Sequence, residues 1–155
     1  MKLIQTKKRI INIDESWIDS GDYRRRSWQR KGVTNANPVK KVSPRITLIV
    51  AVDSLGQIYA SILQANSDAD TFGLFLTELV KTLDYEDIHW RSNSVIMWDG
   101  ASYHDATNVL VLLKEQRAPV VFLGPYSYHM APAEMIFAAL KTQHLNPQKA
   151  PLGKK

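Results

Sequence analysis

The stretch Arg45-Ile46-Thr47-Leu48-Ile49-Val50-Ala51-Val52 most narrows what this chain can become. It is short, rich in β-branched residues and almost continuously apolar, so as a strand it needs cover on both faces. It predicts a central strand in a sheet packed by helices. Asp53-Ser54-Leu55-Gly56 supplies a turn, and Gln57 to Leu63 alternates with period two, as the returning strand of a hairpin does. An aspartate opening such a turn, as Asp53 does, is ordinary turn chemistry.

Upstream, residues 7–16 read as a first strand that ends at Asp14 and Glu15, with Ile10, Ile11 and Ile13 as its β-branched body. Alternation places Ile11, Ile13 and Glu15 on one face and Ile10, Asn12 and Asp14 on the other. Downstream, Ser67-Asp68-Ala69-Asp70 opens a helix that carries Phe72, Phe75, Leu76, Leu79, Val80 and Leu83 at helical spacing. That helix is expected to stop near Asp84-Tyr85-Glu86-Asp87, an acidic patch read as a solvated loop. A strand over residues 94–98, a helix from about 105 to 115, a short strand over 118–123 and a helix from about 132 to 143 complete the order. The expected fold class is α/β, a mixed central sheet flanked by helices in the order βββαβαβα. Residues 1–145 form one domain in this reading, and 146–155, which lack periodicity, a flexible tail.

Charge divides this domain unevenly. Residues 1–45 hold twelve Lys/Arg against four Asp/Glu, a net of +8, while the rest holds eight against eleven, a net of −3. A basic third of that kind points to a polyanionic partner, nucleic acid first. Its centre is Tyr23-Arg24-Arg25-Arg26-Ser27-Trp28-Gln29-Arg30-Lys31-Gly32, where cations able to hold phosphates alternate with aromatics able to stack on bases. A protected edge strand with Trp28 packed inward would show the same pattern. With no cysteine, disulfides, thiolate zinc sites and a cysteine nucleophile are excluded. The four histidines form no close ligand pair, and no Gly-x-Ser-x-Gly elbow supports a serine triad. No apolar run reaches the roughly 18 residues of a membrane span, so a soluble, intracellular protein without a membrane partner is expected.

Three acids stand where sites are built. Asp99 follows the apolar run Ser94-Val95-Ile96-Met97-Trp98 at a strand end. Glu134 falls in the first turn of the helix opened by Pro132, and Asp14 closes the first strand. Oxygen ligands of this kind suit a pair of Mg²⁺ ions about 3.5–4 Å apart. Taken singly, each acid also has a plain reading: a helix-terminus charge for Glu134, a turn for Asp99-Gly100, a strand-end surface residue for Asp14.

In order along the chain, Ile13-Asp14-Glu15-Ser16, Trp28-Gln29-Arg30-Lys31-Gly32, Trp98-Asp99-Gly100-Ala101-Ser102-Tyr103-His104 and Ala131-Pro132-Ala133-Glu134 resemble the blocks of DDE transposases of the mariner superfamily, including its bacterial insertion-sequence branch. Thirty-four residues separate Asp99 from Glu134, as in one major branch of that superfamily. The resemblance implies an RNase H-like fold, with Asp14, Asp99 and Glu134 as catalytic residues holding two Mg²⁺ ions, for which Mn²⁺ can substitute. It implies DNA strand cleavage and strand transfer at that one site, and it selects Asp14 over Glu15 as the first acid. Transposon ends and target DNA are the implied partners, met by Arg24, Arg25, Arg26, Trp28, Arg30 and Lys31, with His104 and His129 as further candidate DNA contacts. A homodimer would bring two ends together. The location would be the bacterial cytoplasm or nucleoid, or a eukaryotic nucleus.

Two departures accompany the likeness. Such transposases carry helix-turn-helix modules before the catalytic domain, whereas here the first catalytic strand comes almost at once, so a separate recognition chain or domain is expected. The block before the third acid commonly reads Asn-Pro, and here Ala131 stands in the asparagine's place. A nuclease or resolvase without strand transfer, and a catalytically silent DNA-binding remnant, are alternatives that the sequence leaves open.

Overall fold

The structure is a computed structural model that describes residues 8–18, 46–124 and 131–141. Five strands form one mixed sheet: β1 (Arg9–Ile18), β2 (Ile46–Asp53), β3 (Ile58–Leu63), β4 (Ser94–Trp98) and β5 (Val120–Phe122), in the spatial order β3-β2-β1-β4-β5. β1 runs antiparallel to β2 and parallel to β4, β3 is antiparallel to β2, and β5 is parallel to β4. The helices are α1 (Ala69–Glu86), the single turn α2 (Trp90–Asn93), α3 (Thr107–Gln116) and α4 (Pro132–Lys141). Apart from α2 this is the expected order.

The middle position falls to β1 rather than to the more apolar β2. Both are interior, and β2 is buried along seven of its eight residues. Its two faces feed two cores, as its composition requires. Ile49 and Ala51 join Ile11, Ile13, Ile96 and Trp98 beneath Phe72, Leu76 and Leu83 of α1 and Val109 of α3. Leu48, Val50 and Val52 pack on the other side against Ala133 and Phe137 of α4. Each fully buried aliphatic or phenyl side chain contributes about 1.5–3 kcal/mol, so these two layers fix which helices cover which face.

α1 begins as its sequence predicts. Asp68 accepts from the Thr71 amide at 2.8 Å while the Thr71 hydroxyl accepts from the Asp68 amide at 3.0 Å, a reciprocal cap. The helix ends at Glu86, within the acidic patch where it is expected to stop, and the patch is exposed although two of its acids are also paired. Asp84 accepts from Trp90 Nε1 at 2.8 Å and pairs with Arg91, and Glu86 accepts from the Tyr59 hydroxyl at 2.7 Å. No described helix is long and apolar enough to cross a membrane.

β1 outruns its expected span of residues 7–16 and ends at Ile18. Its last residues, Trp17 and Ile18, are held by pairing with Thr47 and Ile46 of β2. Pairing with β4 stops sooner, at Asn12 opposite Met97. Beyond that point β1 and β2 continue, while β4 gives way after Trp98 to the turn that carries Asp99.

Candidate active site

Continuing the β1–β4 register by two residues sets Asp14 level with Asp99. Asp14 shares its face of β1 with Asn12, the face that α4 covers, and Val50 lies across from it on β2. Its Oδ1 accepts from the Glu15 amide at 2.8 Å. Burial pushes the carboxyl up to about 7, the negative charges of Glu134, Glu15 and Asp99 push the same way, and the Glu15 amide opposes them. Of the three charges Glu134 acts most strongly, so the third acid bears directly on the first.

Asp99 leaves the sheet as β4 ends. Its Oδ1 accepts from the Ala101 amide at 3.1 Å, an Asx turn, and also meets His104 Nδ1 at 2.9 Å. That oxygen is engaged twice, while the side chain as a whole is 61% exposed. Glu134 is exposed on the first turn of α4, and its own amide is tied to the Ala131 carbonyl at 3.1 Å. The adjoining residue is pinned to the sheet, because the Ala133 amide donates to Asn12 Oδ1 at 3.2 Å.

Among the described residues no three Asp, Glu or His side chains stand grouped as ligands of one ion. The backbones converge while the carboxylates of Asp99 and Glu134 lie toward solvent, where changing a rotamer is cheap and like charges repel. The donor set fits a hard cation. It consists of carboxylate oxygens only, and among the described residues Asp14 and Asp99 each keep one carboxylate oxygen free of hydrogen bonds.

His104 lies elsewhere than expected. A side chain 1% exposed has no surface to offer DNA, and both of its nitrogens are engaged. Nε2 meets Glu15 Oε1 at 3.0 Å, and Nδ1 meets the Asp99 carbonyl oxygen at 3.1 Å as well as its carboxylate. Burial would lower its pKa, but the Glu15 bond and charge and the contacts with Asp99 outweigh it and raise the pKa. With acceptors on both sides, a ring protonated at both nitrogens satisfies every contact. The imidazole packs on Phe72 at 4.2 Å and Tyr103 at 4.4 Å between centroids. It thereby ties the loop of Asp99 to Glu15 of β1.

Glu15 is the partner that fixes this ring. Alternation turns its carboxylate away from Asp14 into the α1 face, where it is 3% exposed and also accepts from the Tyr103 hydroxyl at 3.4 Å. Burial and the neighbouring charges of Glu15 and Asp99 raise the Tyr103 pKa well above the usual phenol range. Sequence reasoning missed this network and the two bonds of Asn12. For Asn12 the signal was present: an amide amid isoleucines on an inward strand must find hydrogen-bond partners.

Arg24, Arg25, Arg26, Trp28, Arg30, Lys31 and His129 fall outside the described residues. Asp53 sits at the opposite end of β2, where it accepts from the Leu55 and Gln57 amides, each at 2.8 Å, and from Arg9 Nε at 2.6 Å. A groove of about 350 Å³ lined by Tyr59, Leu63, Phe75 and Leu79 runs between β3 and α1, away from the three acids.

The family described as DDE superfamily endonuclease matches residues 9–154. Among solved structures, the Mos1 transposase paired-end complex with the left transposon end is similar at 23% identity and a TM-score of 0.65, over 91% of this chain and 43% of that one. The catalytic domain of Mos1 mariner transposase is 22% identical with a TM-score of 0.63, over 91% and 62% of the two chains. The Mos1 transposase catalytic domain with Raltegravir and Mn is 22% identical with a TM-score of 0.65, over 95% and 68%. This likeness makes the fold RNase H-like, as the resemblance implied. The chain spans less than half of the transposase chain in the paired-end complex. No curated protein matches the chain in sequence.

Proposed function

Since the chain belongs to the DDE superfamily endonuclease family, we propose that it is a transposase catalytic domain that cuts DNA strands and joins them to a target. The observation that supports this most is the convergence of acids: Asp14 level with Asp99 two residues beyond the parallel β1–β4 pairing, and Asp14 feeling the charge of Glu134 more than that of any other acid. Asp14, Asp99 and Glu134 would hold two Mg²⁺ ions, or Mn²⁺ in their place. The solved Mos1 catalytic domains contain Mn or Mg, which favours a divalent cation here too. When bound, such ions activate an attacking water or DNA 3′-hydroxyl and steady the leaving oxygen.

The chain's own groups supply the rest. His104 and the Ala101 amide occupy Asp99 Oδ1, so Oδ2 is the oxygen left to face a cation. Glu15 keeps the His104 ring oriented, as a buried carboxylate does for a histidine bonded to a ligand residue. DNA is the partner, and the arginines of residues 24–30 with Lys31 supply cations for its backbone. Transposition joins two ends, so the active form is a homodimer, acting wherever the host keeps its DNA.

The test is incubation of the chain with plasmid DNA, a 3′-hydroxyl-ended oligonucleotide and Mg²⁺. Nicking that disappears in Asp99→Ala, with the oligonucleotide joined to the plasmid, is expected. Nicking without joining would reduce the activity to that of a nuclease. Mg²⁺-independent nicking, or nicking that survives Asp99→Ala, would overturn the reading.

A further inference from the structure

Asn12 is a buried amide, 1% exposed, between two isoleucines of the middle strand. Its Nδ2 donates to the Met97 carbonyl at 3.3 Å, and its Oδ1 accepts from the Ala133 amide at 3.2 Å. The amide orientation is fixed by its partners, since only nitrogen can face a carbonyl and only oxygen can face an N–H. Each contact lies beside a site acid. Asn12 precedes Asp14 by two residues, Met97 precedes Asp99 by two, and Ala133 precedes Glu134 by one.

The Ala133 contact answers a specific need of α4. A helix leaves its first amides without intrahelical acceptors, and a Ser, Thr, Asp or Asn at the cap position normally supplies one. Here Pro132 has no N–H, so Ala133 carries the first donor, and Ala131 before it has no polar side chain to cap with. The cap comes instead from β1, across the core. The helix start and the sheet are thereby tied at one amide.

We infer that Asn12 is a positioning residue that sets the separation of Asp14, Asp99 and Glu134 by tying β4 and the start of α4 to β1. This rests on the reading of those acids as metal ligands. A residue with only a packing role would be replaceable by leucine, which has nearly its shape. Leucine would leave the Ala133 amide and the Met97 carbonyl without a side-chain partner, and α4 free to shift along the sheet.

Two readouts on the whole chain separate the parts of this inference: amide hydrogen exchange over residues 131–141, and Mn²⁺ binding by calorimetry. In Asn12→Leu, exchange at the start of α4 should quicken roughly five- to thirtyfold. Mn²⁺ should bind roughly tenfold more weakly, as when a residue supporting a metal ligand is lost. Asn12→Leu combined with Ala131→Ser restores a local cap; exchange should slow again while part of the Mn²⁺ deficit persists, because the tie to Met97 is still missing. The double variant also guards against a single variant too unstable to measure. Unchanged exchange in Asn12→Leu overturns the tertiary cap, whatever the metal does. Unchanged Mn²⁺ affinity in a folded Asn12→Leu overturns positioning while leaving the metal site intact. Wild-type chain that binds no Mn²⁺ would overturn the metal reading and the positioning role with it.

Discussion

The two ends of the central strands carry aspartates in opposite circumstances. At the hairpin end, Asp53 is buried, but Arg9 and two turn amides surround it. Arg9 also donates to Gln57 and Tyr59 and lies near Glu86, which closes the group electrically. At the far end, Asp14 is half-buried under the negative charges of Glu134, Glu15 and Asp99, and among the described residues a single amide N–H opposes them. A balanced end stabilises the fold. An end where burial and like charge both penalise ionisation costs stability, and acids are kept in such a place where a cation or a proton is to be handled. His104 marks the border, since it balances Glu15 and touches Asp99 without reaching Asp14's face.

Substitutions at each end should separate these roles. The largest effect is expected for Asp99→Ala, which should take Mg²⁺-dependent plasmid nicking down by more than about a hundredfold while thermal unfolding stays close to wild type. Arg9→Met should do the reverse. Leaving Asp53 buried beside no cation should cost about 3 kcal/mol in urea unfolding, with Mn²⁺ affinity of the folded protein unchanged. If Arg9→Met weakened Mn²⁺ binding as strongly as it weakened the fold, the two ends would not be independent.

His104→Phe sharpens the boundary. The ring shape is kept against Phe72 and Tyr103, but Glu15 loses its main partner and Asp99 loses a donor. Stability should fall by about 2 kcal/mol and Mn²⁺ affinity by roughly tenfold. Loss of stability alone would make His104 part of the balanced region only.

The most gradual effect is a pH slope. Folding holds a proton on Asp14 up to about pH 7, whereas an unfolded aspartate releases it near pH 4. Between those values the folded state binds more protons, so stability without divalent cation should fall as pH rises. Asp14→Asn should remove that part of the slope, as checked by urea unfolding at several pH values in a chelator. A slope unaltered by Asp14→Asn would assign it to other groups.

Much of this contrast was written in residue types. The apolar run of β2, the period-two return of β3 and the Asp68 cap of α1 follow from local rules, and the structure keeps them. The places of Asp99 just past a strand end and of Glu134 in a first helical turn were legible for the same reason, whereas Asp14, expected at a strand end, lies within β1. The position of β1 was not, because its place at the centre and its extension to Ile18 come from pairing with β2 rather than from its own composition. Nor was the burial of His104, since a histidine in a turn acquires a partner such as Glu15 only when β1 and β4 lie side by side. Asn12 was legible as a polar residue on an inward face, but which two backbones it joins depends on where α4 lands.

The most direct measurement is anomalous diffraction from crystals of the wild-type chain grown with Mn²⁺. Two anomalous peaks about 4 Å apart, ligated jointly by Asp14, Asp99 and Glu134 with His104 still on Asp99, are the predicted result. Peaks ligated by other acids, or ordered crystals in saturating Mn²⁺ with no peak among these three carboxylates, would contradict the account.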